Sequence, residues 1–544
     1  MKKYSIGIDY GSESGRVVIV NQQNGNIIGT HVVQYKDGVI TDKLVNSKQK
    51  LPKSYALQNP NDYLRVLEEG IPSVLKKTKT SPSDIIGIGV AFTSSTVIPT
   101  DFKLRPLCFF NKYKDNPHSW VKLWKHLGAK EEAEIIQDVA IENFPNFLKS
   151  YGNHVSPEWL LPKCLEVLHE DSHFYNEVDL FLEAGDWIVS ILTGKVTRSN
   201  CSLGFKAFWD EKKGFNKEFL KLIHPKFEDL PNTKLRGKVG KIGEVAGFLT
   251  KEMALKLNLK EGTPVGVSII DAHASLLGIG AFKDKELTMV MGTSTCHLML
   301  NKKRYDVNGI SGVVKDAIIP GLYAYEAGQT AVGDLFGTFN KQLPSAFETE
   351  VEKRGITTFQ LLEEKAKELP PGGNGLVSLD WYNGNRSILS NYNVSGLMVG
   401  LTLSTKPEEI YLSLLEASAF GAKVIIENYI ESGLLVDNVF ACGGLPKKNE
   451  LLMQIYADVL NKDIHVSSTE NASAVGAAIL GAIASGKFRS INEAIENMKQ
   501  PFHKTYKPSK ERVVQYSKLY NIYLKLHNYF GVENIKIMED LKKI

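Results

Sequence analysis

Alternating hydrophobic and polar positions mark the first forty residues as a β-meander. Ser5 to Asp9 alternates into a strand, and a short glycine-flanked turn follows from Gly11 to Gly15. The β-branched run from Arg16 to Val20 predicts the returning strand, and Asn24-Gly25 is a strong signal for a two-residue hairpin turn. A third strand is predicted from Asn26 to Tyr35. The chain therefore opens with a meander whose first turn carries hydroxyl groups.

A second meander of the same kind is predicted near residue 287. Leu287 to Met291 and Cys296 to Leu300 have strand patterns, and Gly292-Thr293-Ser294-Thr295 forms the turn between them. Ala317 to Glu326 supplies the predicted third strand. The two meanders indicate an internal duplication of a large unit and not a short-period repeat. Two hairpin loops of similar chemistry, one in each half, would then face each other across a cleft.

The remaining pattern alternates between strands and helices. Helical spacing is clearest from Pro407 to Tyr429, and the small residues from Ala474 to Gly486 predict a helix packed tightly on a sheet. This order predicts an α/β protein with mixed sheets and a domain join near residues 255–290. The other predicted strands are Ile85 to Phe92, Pro264 to Ile270 and Val439 to Cys442, and the other predicted helices are Ser119 to His126, Asp179 to Thr193, Glu450 to Leu460 and Pro508 to Phe530.

Length and composition limit the function classes. A chain of 544 residues is too long to fold around one ordinary hydrophobic core, so two or more domains are expected. Its content of 43% hydrophobic and 23% charged residues is typical of a globular enzyme. The formal net charge of +4 comes without a long basic block, so no nucleic-acid partner is expected. Five scattered cysteines and no apolar run long enough for a membrane span favour a cytoplasmic protein that does not contact a membrane.

Two common nucleotide-binding motifs are missing from the sequence. The Gly-Lys pairs that begin at 194, 237, 240 and 486 are never followed by Ser or Thr, which a P-loop requires. No GxGxxG opens a helix after a predicted strand. The sequence therefore disfavours both a P-loop enzyme and a dinucleotide-binding oxidoreductase.

The turn between the first two strands offers another way to bind phosphate. Gly11, Ser12, Glu13 and Ser14 can direct backbone N–H groups into one concavity that suits phosphate oxygens. Arg16 can add a charge-assisted contact, and Asp9 at the strand end can hold Mg²⁺ through water. An ordinary hairpin turn is the alternative. A matching Gly292-Thr293-Ser294 in the second half favours phosphate binding.

A third glycine-rich turn follows the strand that ends at Cys442. Gly443 and Gly444 would let a flat ring approach the backbone closely. Asn449, near the start of the next helix, can either cap that helix or hydrogen-bond a ligand. A simple strand-to-helix turn explains the same residues without a ligand.

These motifs together resemble the FGGY carbohydrate kinases, within the actin, hexokinase and Hsp70 superfamily. The resemblance runs from about residue 4 to 490 and is carried by residues 6–16, 291–297, 395–421 and 441–458. It implies an α/β fold of two actin-like (ribonuclease H-like) domains, with mixed sheets flanked by helices and the active site in the interdomain cleft. It also implies ATP and Mg²⁺ as cofactors and a small-molecule sugar as substrate.

The same resemblance divides the chain into domains. Residues 1–282 would form the N-terminal kinase domain, with the sugar site and the first phosphate loop. Residues 283–490 would form the ATP-binding C-terminal domain, and 491–544 a helical tail packed on the domains. Packing of the tail on its own chain is the simpler expectation, and a contact between two copies in a homodimer is the alternative.

Within the family, four stretches are similar to the members that phosphorylate L-ribulose. They lie at 113–126, 204–209, 325–334 and 380–387. The resemblance implies transfer of phosphate from MgATP to the C5 hydroxyl of L-ribulose in L-arabinose breakdown. Ala91 and Ser94 depart from the pattern of those members. A kinase for D-ribulose or ribitol is therefore the nearest alternative, and an ATPase switch of the actin or Hsp70 type is a more distant one.

The resemblance also assigns roles to single residues. Asp271 corresponds to the catalytic base and to a second position near Mg²⁺, although an Asp at a helix start is also a common N-cap. Ser94, Lys206 and Glu326 correspond to sugar-binding positions, together with Asp271. Gln329, Gly333 and the three glycine-containing loops correspond to the ATP site.

Some neighbouring residues are expected to have only structural roles. His273 lies two residues beyond Asp271 and so on another face of the predicted helix. Trp120 and Trp124 are four residues apart, which favours a buried stripe on a helix over a platform for stacking a sugar.

Overall fold

A computed structural model describes residues 3–45, 47, 49–373 and 375–543, and these form two compact units. The first unit contains residues up to Gly280, Val313–Ala324 and Asn471–Gln500. The second contains Ala281–Gly312, Tyr325–Glu470 and the residues after Pro501. A single boundary after residue 282 therefore does not separate the units, because two later segments return to the first one.

Strands and α-helices alternate along the chain up to Gly280. The strands are β1 (Tyr4–Tyr10), β2 (Ser14–Asn21), β3 (Ile27–Gln34), β4 (Leu57–Gln58), β5 (Ile85–Phe92), β6 (Val97–Thr100), β7 (Val121–Lys122), β8 (Leu180–Glu183), β9 (Thr197–Ser199), β10 (Lys238–Gly240), β11 (Val245–Phe248), β12 (Pro264–Gly266) and β13 (Ile269–Ile270). The α-helices are α1 (Pro60–Arg65), α2 (Ile71–Thr78), α3 (Lys130–Asn143), α4 (Leu160–Glu170), α5 (Ser172–Glu177), α6 (Ala184–Thr193), α7 (Asn200–Lys206), α8 (Lys217–Ile223), α9 (Lys251–Leu257) and α10 (Asp271–Ile279).

The rest of the chain continues the same alternation. The strands are β14 (Glu286–Met291), β15 (Thr295–Asn301), β16 (Gly312–Lys315), β17 (Tyr323–Gln329), β18 (Val377–Leu379), β19 (Leu397–Val399), β20 (Asn438–Cys442), β21 (Ile464–Ser467) and β22 (Phe502–Tyr506). The α-helices are α11 (Gly333–Asn340), α12 (Ser345–Arg354), α13 (Thr358–Lys367), α14 (Pro407–Glu431), α15 (Gly444–Lys448), α16 (Glu450–Leu460), α17 (Ala472–Ala484), α18 (Ile491–Met498), α19 (Lys510–Asn528) and α20 (Lys536–Leu541).

The main sheet of the first unit has the order β11-β12-β5-β1-β2-β3, and β13 also pairs with β5. The predicted meander is confirmed, because β1 pairs antiparallel with β2 and β2 with β3. β5 runs parallel to β1, β12 and β13. Apolar side chains on this sheet, such as Ile6, Ile8 and Ile88, are fully buried.

Helix α17 packs against β1 and β5 through glycines on the strands. A Cβ at Gly7, Gly87 or Gly89 would overlap backbone carbonyl oxygens of α17, at Ala474, Gly481 and Ala477 respectively. The small residues of α17 match these glycines, so backbone approaches backbone closely. The predicted small-residue helix on a sheet is thus confirmed, although α17 belongs to the first unit.

The other seven-stranded sheet, whose strands β14, β15, β20, β21 and β22 belong to the second unit, repeats the plan of the first. Its order is β16-β17-β15-β14-β20-β21-β22. β14 pairs antiparallel with β15 and parallel with β20, as β1 does with β2 and β5. The next two pairs, β20–β21 parallel and β21–β22 antiparallel, correspond to β5–β12 and β12–β11. The two sheets therefore share one strand order, which agrees with the internal duplication that the sequence predicts.

The C-terminal helix α19 packs on the second unit by an aromatic face. Tyr516, Tyr520 and Tyr523 are buried, and the hydroxyl of Tyr523 donates a 2.9 Å hydrogen bond to Asp380 Oδ1. The tail therefore completes the core of its own unit. None of the described helices is long and apolar enough to cross a membrane.

Four sequence predictions of elements need correction. Ser119 to His126 is not an α-helix: Ser119 ends a short 3-10 turn that begins at Pro117, and Val121–Lys122 form β7 within an extended loop. Asp179 to Thr193 divides into strand β8 and helix α6, and Pro264 to Ile270 divides into β12 and β13. The third strand of the second meander is β17, which begins six residues later than predicted, at Tyr323.

Candidate active site

Three predicted functional residues meet at one edge of the first unit's sheet. β1, β5 and β13 are parallel neighbours, and Tyr10, Phe92 and Ile270 lie side by side at their carboxyl ends. Asp9 precedes the end of β1. Ser94 follows β5 by two residues, and Asp271 directly follows β13. In α/β sheets this edge is where ligands bind.

The first glycine turn is a tight hairpin fixed by its own backbone and by neighbouring side chains. The Gly11 N–H donates to Ser14 O at 3.0 Å, and Ser14 is already part of β2. The Ser12 hydroxyl accepts a 2.9 Å hydrogen bond from Trp124 Nε1, and Ser12 O accepts a 2.6 Å bond from Gln58 Nε2. These contacts hold the loop in one conformation.

Asp9 is a nearly buried carboxylate with two polar neighbours. Its Oδ2 lies 3.4 Å from Arg16 Nη1, its partner in the β1–β2 register, and its Oδ1 accepts a 2.8 Å hydrogen bond from the Ser473 hydroxyl. Burial raises the pKa of Asp9, and Arg16 and Ser473 oppose that rise. A carboxylate that lacks full solvation here would gain from a nearby cation.

Asp271 is the first residue of α10, and Ile270 occupies the N-cap position. The suggested N-cap role for Asp271 is therefore not what the structure shows. Its Oδ1 accepts a 2.7 Å hydrogen bond from the next backbone N–H, of Ala272. The helix start favours the ionised carboxylate at this position. Asp271 is partly exposed.

Lys206 ends the short helix α7 and is 3% exposed. Its predicted role as a sugar-binding residue stays a prediction. Helix α7 is joined to α10 through His273, whose Nδ1 lies 3.1 Å from Cys201 Sγ and whose ring stacks at a tilt on Phe205 with centroids 4.7 Å apart. His273 is fully buried, and these contacts agree with the structural role predicted for it.

Glu326 lies in the middle of β17 in the second unit and is 7% exposed. The sequence placed it at a strand end, whereas the strand continues to Gln329. Its backbone oxygen accepts a 2.7 Å hydrogen bond from the Ser311 N–H. The pKa of the Tyr429 hydroxyl is raised mainly by burial, and the nearby Glu326 carboxylate raises it further. Glu326 is thus a buried acid on a rigid strand.

The second hairpin loop, Gly292 to Ser294, accepts backbone hydrogen bonds from the start of α11. The Gly292 N–H donates to Ser294 O at 2.9 Å, which repeats the bond from Gly11 to Ser14 in the first loop. Gly333 N donates to Gly292 O at 3.1 Å, and Asp334 N donates to Thr293 O at 3.2 Å. A Cβ at Gly333 would crowd Gly292 O, so Gly333 is explained by this close approach.

The side-chain amides of Gln329 and Asn449 are engaged inside the second unit. Gln329 Nε2 donates to Asp380 Oδ2 and to Ser418 O, both at 2.8 Å. Asn449 Oδ1 caps α16 by accepting from Leu452 N at 2.8 Å, and its Nδ2 donates to the Tyr411 hydroxyl at 2.8 Å. Of the two roles considered for Asn449, the structure shows the helix cap.

Gly443 and Gly444 follow β20, beside the loop that follows β14. Gly443 has φ +101°, and a Cβ there would overlap Met291 O. No atom lies within 4 Å of a Cβ built on Gly444. The first glycine therefore lets the chain turn tightly, and the second leaves an open approach to the backbone. Both loops lie at the same edge of the second sheet, since β14 and β20 are parallel neighbours.

A separate group of His118, Glu166 and Glu170 has ligand atoms close enough for a metal ion. Lys122 Nζ lies 3.1 Å from Glu166 Oε1 and 3.2 Å from His118 Nδ1. The ammonium group already supplies the positive charge that a metal would bring. This group is an ion-pair network in which His118, Glu166 and Lys122 are buried and Glu170 is exposed.

The fold and these loops define a carbohydrate kinase, and the chain belongs to the FGGY family of carbohydrate kinases. Residues 4–278 match the family's N-terminal domain and residues 287–485 its C-terminal domain. ATP is the phosphate donor that this kinase family implies, and the chain phosphorylates a sugar.

Individual relatives agree with this family. A protein named ribulokinase from Staphylococcus aureus (strain Newman) is 51% identical over 541 residues, which cover 99% of each chain. Xylulose kinase from Rhodospirillum rubrum has the same fold, with a TM-score of 0.77 at 20% identity over 97% of this chain and 99% of the other. Gluconate kinase from Lactobacillus acidophilus gives a TM-score of 0.79 at 19% identity over 99% of this chain and 100% of the other.

The sequence did not reveal the residues that hold the first loop. Ser473 contacts Asp9 across 464 positions of the chain, and Trp124 and Gln58 contact Ser12 across 112 and 46 positions. Such long-range side-chain contacts leave no local pattern. Trp124 lies in one of the four stretches similar to the members that phosphorylate L-ribulose, but the wrongly predicted helix from Ser119 to His126 gave its indole a place in a buried stripe.

Proposed function

We propose that this protein transfers the γ-phosphoryl group of MgATP to the C5 hydroxyl of L-ribulose, in L-arabinose breakdown in the cytoplasm. The identity of 51% over 99% of the chain to a protein named ribulokinase is the observation that carries the choice of sugar. The arrangement of Asp9, Ser94 and Asp271 at one sheet edge supports the chemistry.

Asp271 is the proposed base that takes the proton from the attacking hydroxyl. A carboxylate is only a weak base. That suffices because phosphoryl transfer passes through a loose transition state in which positioning of the hydroxyl matters more than basicity. Ser94, Lys206 and Glu326 are the proposed sugar contacts. Lys206 supplies donors and Glu326 acceptors, and burial fixes both side chains.

Mg²⁺ is the metal that kinase chemistry implies. The carboxylates of Asp9 and Asp271 are oxygen ligands of the kind Mg²⁺ prefers, with waters completing the shell. The raised pKa of Asp9, which burial causes, fits a residue whose charge is balanced by a bound cation. The metal would neutralise charge on the phosphates during transfer.

ATP is proposed to contact the three glycine-containing loops. Gly11 to Ser14 with Arg16, and Gly292 to Ser294, would contact phosphate oxygens, and Gly443 with Gly444 would contact the nucleoside. Gln329, Gly333 and Asn449 are proposed to complete the ATP site, and each also forms a hydrogen bond within the second unit.

A panel of sugars tests the substrate. ADP release is measured with purified protein and L-ribulose, D-ribulose, ribitol and L-arabinose, each with MgATP, and product structure is assigned by NMR. L-Ribulose should give the highest kcat/KM and phosphate on O5. A higher kcat/KM with D-ribulose or ribitol would show that this sugar, and not L-ribulose, is the substrate. Ala91 and Ser94 would then be the first residues to substitute in a search for the cause of that preference.

Asp271→Asn tests the base. The variant should bind the sugar with nearly unchanged Kd, while kcat falls by about 100-fold or more. Ser275→Ala is the matched control, since it removes only the 3.1 Å hydrogen bond from the Ser275 hydroxyl to Asp271 O. Near-normal turnover by Asp271→Asn would contradict the role.

A further inference from the structure

Lys163 is a lysine enclosed within the first unit, with 1% of its surface exposed. It lies in α4, and its Nζ donates to three backbone carbonyl oxygens. The distances are 2.5 Å to Ser95 O, 2.8 Å to Leu123 O and 3.5 Å to Lys122 O. Among side chains, only an ammonium group places three N–H donors on one atom. Lys163 therefore joins two separate loops at a single point.

Both loops lead to proposed functional residues. Ser95 follows Ser94, the proposed sugar contact, and has φ +53°, a conformation that costs energy for a residue other than glycine. Leu123 precedes Trp124, whose indole N–H is bonded to the Ser12 hydroxyl in the first phosphate loop. A strained turn persists only where its surroundings hold it. Lys163 contributes to this support through its bond to Ser95 O, together with the Thr96 hydroxyl, which donates to Ser94 O at 3.3 Å.

The local charges show why the amine is sensitive to pH. Burial, with a smaller contribution from Lys122, lowers the pKa of Lys163 to about 7, although Glu183, Glu158 and Glu166 oppose the change. A neutral amine keeps two N–H donors for three carbonyls. When the ammonium group loses its proton, one of the three carbonyls is left without a hydrogen-bond donor. This deprotonation occurs near neutral pH.

We propose that Lys163 is a positioning residue for the kinase reaction, which fixes the Ser94–Ser95 turn so that Ser94 meets the sugar in one orientation. The proposal rests on the role of Ser94 in the proposed function. Lys163 acts through backbone carbonyls and does not touch the substrate. Because Ser95 receives the shortest of the three bonds, the sugar site depends on Lys163 more directly than the phosphate loop does.

Lys163→Met tests the proposal, because methionine keeps the length and packing of the side chain and removes the donors. The KM for the sugar should rise about tenfold, with a smaller change in the KM for ATP, since carbonyls lose their partners and the turn relaxes. Lys234→Met is the matched control: Lys234 is a half-buried lysine whose Nζ donates to Val178 O at 2.5 Å, away from the proposed site residues. It should keep both KM values within about twofold of wild type.

The pH profile separates positioning from simple stability. In the wild-type protein, sugar KM should rise as pH increases from 6 to 9, whereas in Lys163→Met it should stay flat. A folded Lys163→Met protein with wild-type sugar KM, or with the same pH profile, would overturn the proposal. If that variant does not fold, Lys163→Gln keeps two amide donors on a shorter chain. It should show a smaller rise in sugar KM, and an unchanged KM would also overturn the proposal.

The measurements use whichever sugar gives the highest kcat/KM in the sugar panel. The wild-type sugar panel alone therefore tests whether L-ribulose is the substrate. The ratio of the KM of the Lys163 variant to the wild-type KM, measured with the best sugar, tests the positioning role.

Discussion

The indole nitrogen of Trp124 donates a 2.9 Å hydrogen bond to the hydroxyl of Ser12, although the two residues are 112 positions apart. The bond runs from the extended loop after β7 to the first phosphate loop. Trp120, four residues earlier, instead donates its indole N–H to Lys114 O at 2.9 Å. One tryptophan therefore supports the proposed ATP site, and the other supports its own loop.

Trp124→Phe should raise the KM for ATP about fivefold, because it removes one hydrogen bond from the loop while keeping an aromatic ring. The KM for the sugar should change less. Steady-state kinetics with varied ATP measures the effect. Trp120→Phe is the control, since it removes an equivalent bond that does not reach Ser12. Equal changes in the KM for ATP for both variants would show that the bond to Ser12 has no special role.

The architecture was predictable from the sequence where its signals are local. The first meander, the β14–β15 hairpin, β5 and α16 agree with the predicted elements, since strand alternation and helix caps depend on residues that are close in sequence. The small residues of α17 correctly predicted close packing on a sheet. The predicted helix from Ser119 to His126 failed because a few apolar positions in a loop can imitate helical spacing.

The candidate site was only partly accessible from the sequence. Asp271 and Ser94 lie where strands end, and that position could be read from the pattern. Lys206, by contrast, is buried by tertiary packing of α7 against its surroundings, which a lone lysine does not signal. Gln329 and Asn449 were assigned to ATP by resemblance. Their partners Asp380 and Tyr411 are distant in sequence, so their structural bonds could not be foreseen.

Asp9→Asn should lower kcat by about 100-fold and raise the Mg²⁺ concentration needed for half-maximal rate, because a neutral amide binds the cation poorly. Titration of activity with Mg²⁺ at saturating ATP and sugar measures both effects. Asp62→Asn is the control: Asp62 is a buried carboxylate in the same unit that accepts from the N–H groups of Lys36 and Asp37 at 2.7 and 3.1 Å. It should lower Tm without moving the Mg²⁺ midpoint, and an unchanged midpoint for Asp9→Asn would contradict the metal role.

Gly89→Ala should destabilise the first unit by about 2 kcal/mol or more, because the new Cβ would overlap Ala477 O in α17 and force helix and strand apart. Urea unfolding followed by circular dichroism measures the change. Gly337→Ala provides the contrast: Gly337 lies inside α11, and no atom is within 4 Å of the added Cβ. Since alanine favours helices over glycine, that variant should gain up to about 1 kcal/mol. A neutral Gly89→Ala would show that the sheet and α17 can separate at little cost.

Asp380 should make the stability of the second unit depend on pH in the acid range. Burial raises the pKa of Asp380 to about 6, and hydrogen bonds from Gln329 and Tyr523 limit the rise. The folded pKa lies above the unfolded value of about 4, so the folded state holds the proton more tightly. Stability from this group is therefore present at low pH and is lost as pH rises through about 6.

Asp380→Asn removes this titration. The free energy of unfolding of the variant, minus that of wild type, should increase by about 2 kcal/mol between pH 4 and pH 7. Urea unfolding of both proteins at several pH values measures the difference. Asp437→Asn, at an exposed carboxylate that pairs with Lys285, should shift stability by a similar small amount at every pH. A difference between Asp380→Asn and wild type that stays constant across this range would show that folding does not raise the pKa of Asp380, and that the bonds from Gln329 and Tyr523 offset its burial fully.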